Sequence, residues 1–140
     1  MSKEIQNLKP EKLWKNFYEL TQIPRPSKKE EAVAEFVKSF GEKLNLETEQ
    51  DATGNIVIRK AATPGYENRQ TAILQGHLDM VPQKNNDVDH DFEKDPIDAY
   101  VDGEWVTAKG TTLGADNGMG VAAAMAVLED NTLEHGPIEA

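Results

Sequence analysis

Three residues of this chain have side-chain types and spacing suited to chemistry. They are His77, Asp79 and Asp116. His77 and Asp79 fall in Gln75-Gly76-His77-Leu78-Asp79-Met80, after a short apolar run, Ala72-Ile73-Leu74. That run, bounded by turn-type residues, reads as a buried strand. Its C-terminal end is where ligands bind in open α/β sheets. Residues i and i+2 of an extended segment point to one side, so an imidazole and a carboxylate would share it. An imidazole is a common metal ligand, and a carboxylate either binds metal or holds the ring in one orientation. The plainer reading is a surface hydrogen-bonded pair, because a lone His-x-Asp is a weak motif.

Asp116 stands in a second stretch, Gly110-Thr111-Thr112-Leu113-Gly114-Ala115-Asp116-Asn117-Gly118-Met119-Gly120, which runs into an apolar helix, Val121–Leu128. A carboxylate at or just before a helix N-terminus is stabilised by the helix dipole, by roughly 0.3–1 kcal/mol. Helix capping is therefore one reading of Asp116, and a metal ligand is the other. Glycines around it would allow close backbone approach. Residues Gly118–Ala123 also fit G-x-G-x-x-A, a nucleotide- or phosphate-binding fingerprint when it follows a strand and opens a helix. Asp116 argues against that alternative, since its carboxylate would repel a pyrophosphate at the same helix end. No Gly-Lys-Ser/Thr occurs either.

With no cysteine in the chain, thiolate sites and disulfides are excluded, and a metal must be held by His, Asp and Glu. Asp87, Asp89, His90, Asp91, Glu93 and Asp95 form an acidic run. It lacks the central Gly and closing Glu of an EF-hand, and reads as a solvated loop. The net charge of −10 disfavours nucleic acid and anionic membrane surfaces as partners. No run approaches the roughly 20 apolar residues of a membrane span, and Met1-Ser2-Lys3-Glu4-Ile5 opens no signal peptide, so the expected location is the cytoplasm.

The elements that must position these residues are legible in outline, and 140 residues suit one domain. Leu13, Trp14, Phe17 and Leu20 recur at helical spacing over 10–21, with Pro10 in the first turn. Ser27 and Glu30 form a capping box that predicts a second helix, with the stripe Val33, Phe36, Val37, Phe40 and Leu44 as its core face. Residues 46–60 read as two strands about Thr53-Gly54-Asn55. Asp102-Gly103 predicts a hairpin over 97–107, packed by Tyr100, Val101, Trp105 and Val106. The small residues of 121–128 predict a helix close against a sheet, and Ile138 enters another strand.

Together Gly76-His77-Leu78-Asp79-Met80-Val81-Pro82-Gln83-Lys84, His90-Asp91-Phe92-Glu93-Lys94-Asp95-Pro96-Ile97 and Gly110–Gly118 resemble the amino-terminal part of the M20 family of zinc peptidases. Within that family they resemble the aminoacyl-histidine dipeptidase (cytosol non-specific dipeptidase) group. Pro24-Arg25-Pro26-Ser27 also fits, and the resemblance runs along essentially the whole chain. It implies an α/β fold, with helices packed on a mixed β-sheet, here a partial catalytic domain that stops before the sheet is complete. It implies two divalent metal ions, zinc with manganese or cobalt as alternatives. His77 becomes a metal ligand, Asp116 the bridge between metals, and Asp79 the orienting acid counted as catalytic. The implied reaction is hydrolysis of dipeptides, Xaa-His included, by a metal-activated water in a homodimeric enzyme. The family's acidic pair, further ligands and separate lid and dimerisation domain have no counterpart in these residues, and Glu139 stands too early in its strand to replace the pair. A non-catalytic binding domain of the same fold is the other reading.

Overall fold

The computed structural model describes residues 3–140. Helix α1 (Glu11–Thr21) forms where the apolar spacing predicts it, with Phe17 and Leu20 buried. Pro10 stands just outside as the N-cap, in extended conformation, and not within the first turn. A 3-10 turn at Glu4–Asn7, which no sequence signal announces, places Ile5 fully in the core.

Helix α2 (Glu31–Lys43) starts later than the capping box predicts. Glu30 is its N-cap, without a side-chain cap bond. The Ser27 backbone N–H donates to Met80 O, and Pro26 bridges Met80 in parallel. Lys28 then turns through a left-handed conformation (φ 73°). A tertiary partner has taken the residue that local sequence assigned to the cap.

Strands β1 (Glu47–Gln50) and β2 (Ile56–Lys60) pair as the predicted antiparallel hairpin. Asp51 builds its turn by accepting the N–H groups of Thr53 and Asn55, the Thr53 hydroxyl and the Asn55 amide. Side-chain hydrogen bonds from Asn55 and Thr53 hold its carboxyl well below the usual range. Strand β3 (Ala72–Ile73) forms but is exposed, contrary to the buried strand expected there. The reason is its place in the sheet. The order is β1-β2-β6-β3, where β6 is Ile138–Glu139, so β3 has one neighbour and lies at an edge. Strand β6 runs antiparallel to β2 and parallel to β3, which makes the sheet mixed.

Strands β4 (Ala99–Asp102) and β5 (Trp105–Ala108) form a separate two-stranded sheet around Asp102-Gly103. Val101 and Val106 pack on the core as expected, but Trp105 is 76 % exposed. Helix α3 (Ala115–Glu129) is apolar on all sides and is packed on more than one. Ala122 and Met125 join Phe17, Leu20 and Val33, while Leu128 joins Val37, Ile58 and Ile138. Its principal helical neighbour is α1, so the close approach expected against a sheet is made largely against a helix. Asn16 of α1 donates to the Glu129 carboxylate, and Lys60 of β2 donates to the Val127 and Asp130 carbonyls at the end of α3. No helix among the described residues is long and apolar enough to cross a membrane.

Candidate active site

The fold brings His77, Asp79 and Asp116 together. His77 Nδ1 lies 2.9 Å from Asp79 Oδ1 and 3.1 Å from the Asp79 carbonyl oxygen. His77 Nε2 lies 2.9 Å from Asp116 Oδ1. The expected shared side for His77 and Asp79 is realised outside a strand, because β3 ends at Ile73 and the chain bends at Leu78.

Each carboxylate is held differently. Asp79 is about one-third exposed, and its second oxygen accepts the Ser27 hydroxyl at 2.5 Å. That hydrogen bond, ahead of His77, draws the Asp79 carboxyl below its ordinary range against the opposing effect of burial. The Asp116 side chain is 96 % exposed. Its hydrogen bond is the largest influence raising the His77 pKa; burial opposes it, and Asp79 adds to it. The two ring nitrogens thus each face a carboxylate, Asp79 at Nδ1 and Asp116 at Nε2.

Asp116 is not a helix cap. Gly114, in left-handed conformation, is the N-cap of α3, and no side chain makes a cap bond there. Asp116 and Asn117 keep non-helical backbone angles inside the first turn, and the peptide between them is cis. Asn117 Oδ1, one residue on, accepts the Gly120 N–H. The Asp116 carboxylate is left to face His77.

The glycines around Asp116 make room for protein side chains. A Cβ at Gly120 would collide with Asn117 Oδ1, and one at Gly76 would lie 2.9 Å from Asn117 Nδ2. A Cβ at Gly118 would lie 2.7 Å from Arg25 Nη2. The G-x-G-x-x-A pattern thus accommodates Asn117 and Arg25, and the phosphate cradle it suggested is filled.

Residues sequence reasoning singled out elsewhere do not join the site. His90 packs edge-on against Phe92, with 4.4 Å between ring centroids. Asp91 accepts the Glu93 N–H and pairs with Lys94, as a solvated loop would. Glu139 is 3.3 Å from Arg59 Nε. Ser27 and Asn117 are contributors the sequence concealed. Ser27 presented itself as a cap, and an Asn beside an Asp in a glycine-rich stretch carries no separate signal.

The donor set suits a divalent cation in type: one imidazole nitrogen and one exposed carboxylate, side by side, with the other ring nitrogen fixed by a second carboxylate. It falls short in number. Among the described residues no group of three or more His, Asp or Glu gathers in a way that could hold a metal.

No protein-family model matches the chain. It is 55 % identical over 136 residues to the cytosol non-specific dipeptidase of Escherichia coli (strain K12), covering 97 % of this chain and 28 % of that protein. Its structure superimposes on the aminoacylhistidine dipeptidase of Vibrio alginolyticus with a TM-score of 0.95 and 54 % identity, covering 96 % of this chain and 28 % of that one. A tripeptidase from Staphylococcus aureus shares the fold at a TM-score of 0.72 and 23 % identity, covering 91 % of this chain and 34 % of that one. The helices and mixed sheet that position His77, Asp79 and Asp116 thus superimpose on part of an aminoacylhistidine dipeptidase, and the chain, similar along nearly all its length to two dipeptidases, spans 28 % of each.

Proposed function

We propose that this chain forms part of the catalytic domain of a metal-dependent dipeptidase and supplies two of its metal ligands and one positioning acid. The observation that carries this reading is the pair His77 Nε2 and Asp116 Oδ1, 2.9 Å apart, with Asp79 on the opposite ring nitrogen. Similarity to two dipeptidases supports the substrate class: small dipeptides, Xaa-His among them.

Two divalent ions, zinc with manganese or cobalt as alternatives, would polarise the scissile carbonyl and provide a nucleophilic water. The residues of this chain do the rest. Asp79 accepts the Nδ1 proton of neutral His77 and so leaves the Nε2 lone pair for a ligand bond. Ser27 anchors the other Asp79 oxygen, which fixes the plane of that carboxylate. Asp116 has one oxygen beside His77, and its exposed side chain leaves the other open to a second ion. On this reading residues 1–140 are the N-terminal part of the catalytic domain, and the complete protein is a cytoplasmic homodimer with a separate lid and dimerisation domain. The 140 residues alone hydrolyse nothing, because two donors fall short of a four-coordinate zinc site.

The test is hydrolysis of an Xaa-His dipeptide by the protein expressed from its complete natural reading frame. Activity removed by a chelator, restored by zinc and abolished by His77→Ala or Asp116→Ala is the expected result. A folded, zinc-loaded protein without activity on any dipeptide would replace this reading with a non-catalytic binding domain. Chelator-sensitive turnover by the 140-residue chain would overturn the statement about its inactivity.

A further inference from the structure

The two segments that carry the site are distant in sequence, and something must hold them in register. Arg25 is among the largest fully buried side chains of the protein, 2 % exposed. Its guanidinium ends on backbone from both segments. Nη1 donates to the Leu78 carbonyl at 3.1 Å and, more weakly, to that of Asp79 at 3.4 Å. Nη2 donates to the Gly114 carbonyl at 2.8 Å. The first two carbonyls lie in the His77–Asp79 loop, and the third belongs to the N-cap of the helix that bears Asp116.

The surroundings of Arg25 are shaped for it. A Cβ at Gly114 or Gly118 would approach Nη2 to 2.6 or 2.7 Å. The Arg25 backbone carbonyl adds a further tie to the same loop by accepting the Met80 N–H at 3.0 Å. Burial lowers the Arg25 pKa, with the charge of Asp79 opposing, and its Nε–H has no hydrogen-bond partner. Carrying a cation inside on carbonyl acceptors is unfavourable unless the geometry gains from it. A lysine would supply one point of charge in place of a rigid planar fork, and could not reproduce both arms.

We propose that Arg25 is the positioning residue that sets the spacing of His77 and Asp116, by clamping the backbone of the loop that carries one to the turn before the other. The inference deepens the metal-site reading, which supplies its purpose, but the clamp itself is a property of the metal-free chain. The Arg25 donors go to backbone carbonyls and not to the His77 ring or the Asp116 carboxylate.

The experiment is a double-mutant cycle read by the His77 ring resonances of the metal-free chain at fixed pH. The chain has three histidines, so assignment is direct. Asp116→Asn is expected to move the His77 resonances in the Arg25 chain and to move them less than half as far in an Arg25→Lys chain. A core substitution that leaves Arg25 and its carbonyl partners in place, Ile58→Val or Leu128→Ala, is chosen to match the thermal midpoint of Arg25→Lys, and is expected to preserve the full response. Gly118→Ala provides a second variant that keeps the guanidinium and adds a helix-favouring residue. By crowding Nη2 it is expected to reduce the response as well. An undiminished response in Arg25→Lys or in Gly118→Ala would overturn the clamp, as would an equal reduction in the stability-matched control. Zinc titration of the same proteins separates the two ideas. A wild-type chain with the full His77 response and no zinc affinity, even when expressed from its complete reading frame, would sink the ligand assignment and leave the clamp standing.

Discussion

At the scale of the residue, the site is a chain of hydrogen bonds with one end anchored. The Ser27 hydroxyl donates to Asp79, whose other oxygen faces His77 Nδ1, and Asp116 faces His77 Nε2. Removing the anchor and removing the acceptor should differ in size. Ser27→Ala leaves a carboxylate that can still accept from Nδ1, so zinc affinity of the protein from its complete reading frame is expected to fall about tenfold. Ser27→Thr, which keeps the hydroxyl, should restore most of it. Asp79→Asn can turn its amide N–H toward Nδ1 and favour the wrong tautomer, and a loss of about a hundredfold is expected. Isothermal titration of the three variants checks the order. Equal losses for Ser27→Ala and Asp79→Asn would show that orientation of Asp79, and not its acceptor chemistry, is the whole of its contribution.

Elements set by short-range chemistry were readable, and those set by distant partners were not. The apolar spacing of α1 and the Asp102-Gly103 turn, where Gly103 takes φ 60°, work through neighbours in sequence. The start of α2 was misplaced because the Ser27 hydroxyl is claimed by Asp79, 52 residues away. The exposure of β3 depends on strand order, which no local pattern encodes. Likewise the glycines of 114–120 were visible, but their neighbours Arg25 and Asn117 were not. The proximity of His77, Asp79 and Asp116 was foreshadowed by their motifs, whereas a lone hydroxyl or amide such as Ser27 or Asn117 carries no signal of its own. The end of α3 offers a test of chemistry that is mainly local. The Thr132 hydroxyl and N–H donate to Asp130, holding its carboxyl down at about 2, with Lys12 assisting. A carboxyl depressed on folding stabilises the protein above its unfolded pKa and loses that contribution as pH falls through the folded value. The thermal midpoint of the wild type should therefore exceed that of Asp130→Asn from neutral pH down to about pH 4, and the difference should close toward pH 2. A difference independent of pH would assign the effect to hydrogen-bond shape and not to charge.

At the scale of the molecule, two opposing features meet. The sheet ends at β3, a strand with one paired side, where Ile73 is 72 % exposed, and Val81, further along the chain, is 60 % exposed. An open edge with an exposed branched apolar residue is a template for pairing with another chain. Against it stands a net charge of −10, which makes copies of the chain repel one another. The balance should therefore be set by salt. Screening shortens the reach of the repulsion from about 30 Å at 0.01 M to about 3 Å at 1 M, while apolar contact and strand pairing persist. The 140-residue chain is expected to be mainly monomeric in dilute buffer and to associate as salt and protein concentration rise, as followed by light scattering. Ile73→Lys places a charge on the edge and removes the apolar contact together, so it should suppress association at every salt concentration. Its cost in stability should be within about 0.5 kcal/mol, because the side chain is already in water. Association that weakens as salt rises would mean that ion pairing holds the copies together, and an Ile73→Lys chain that associates like the wild type would place the contact somewhere other than β3.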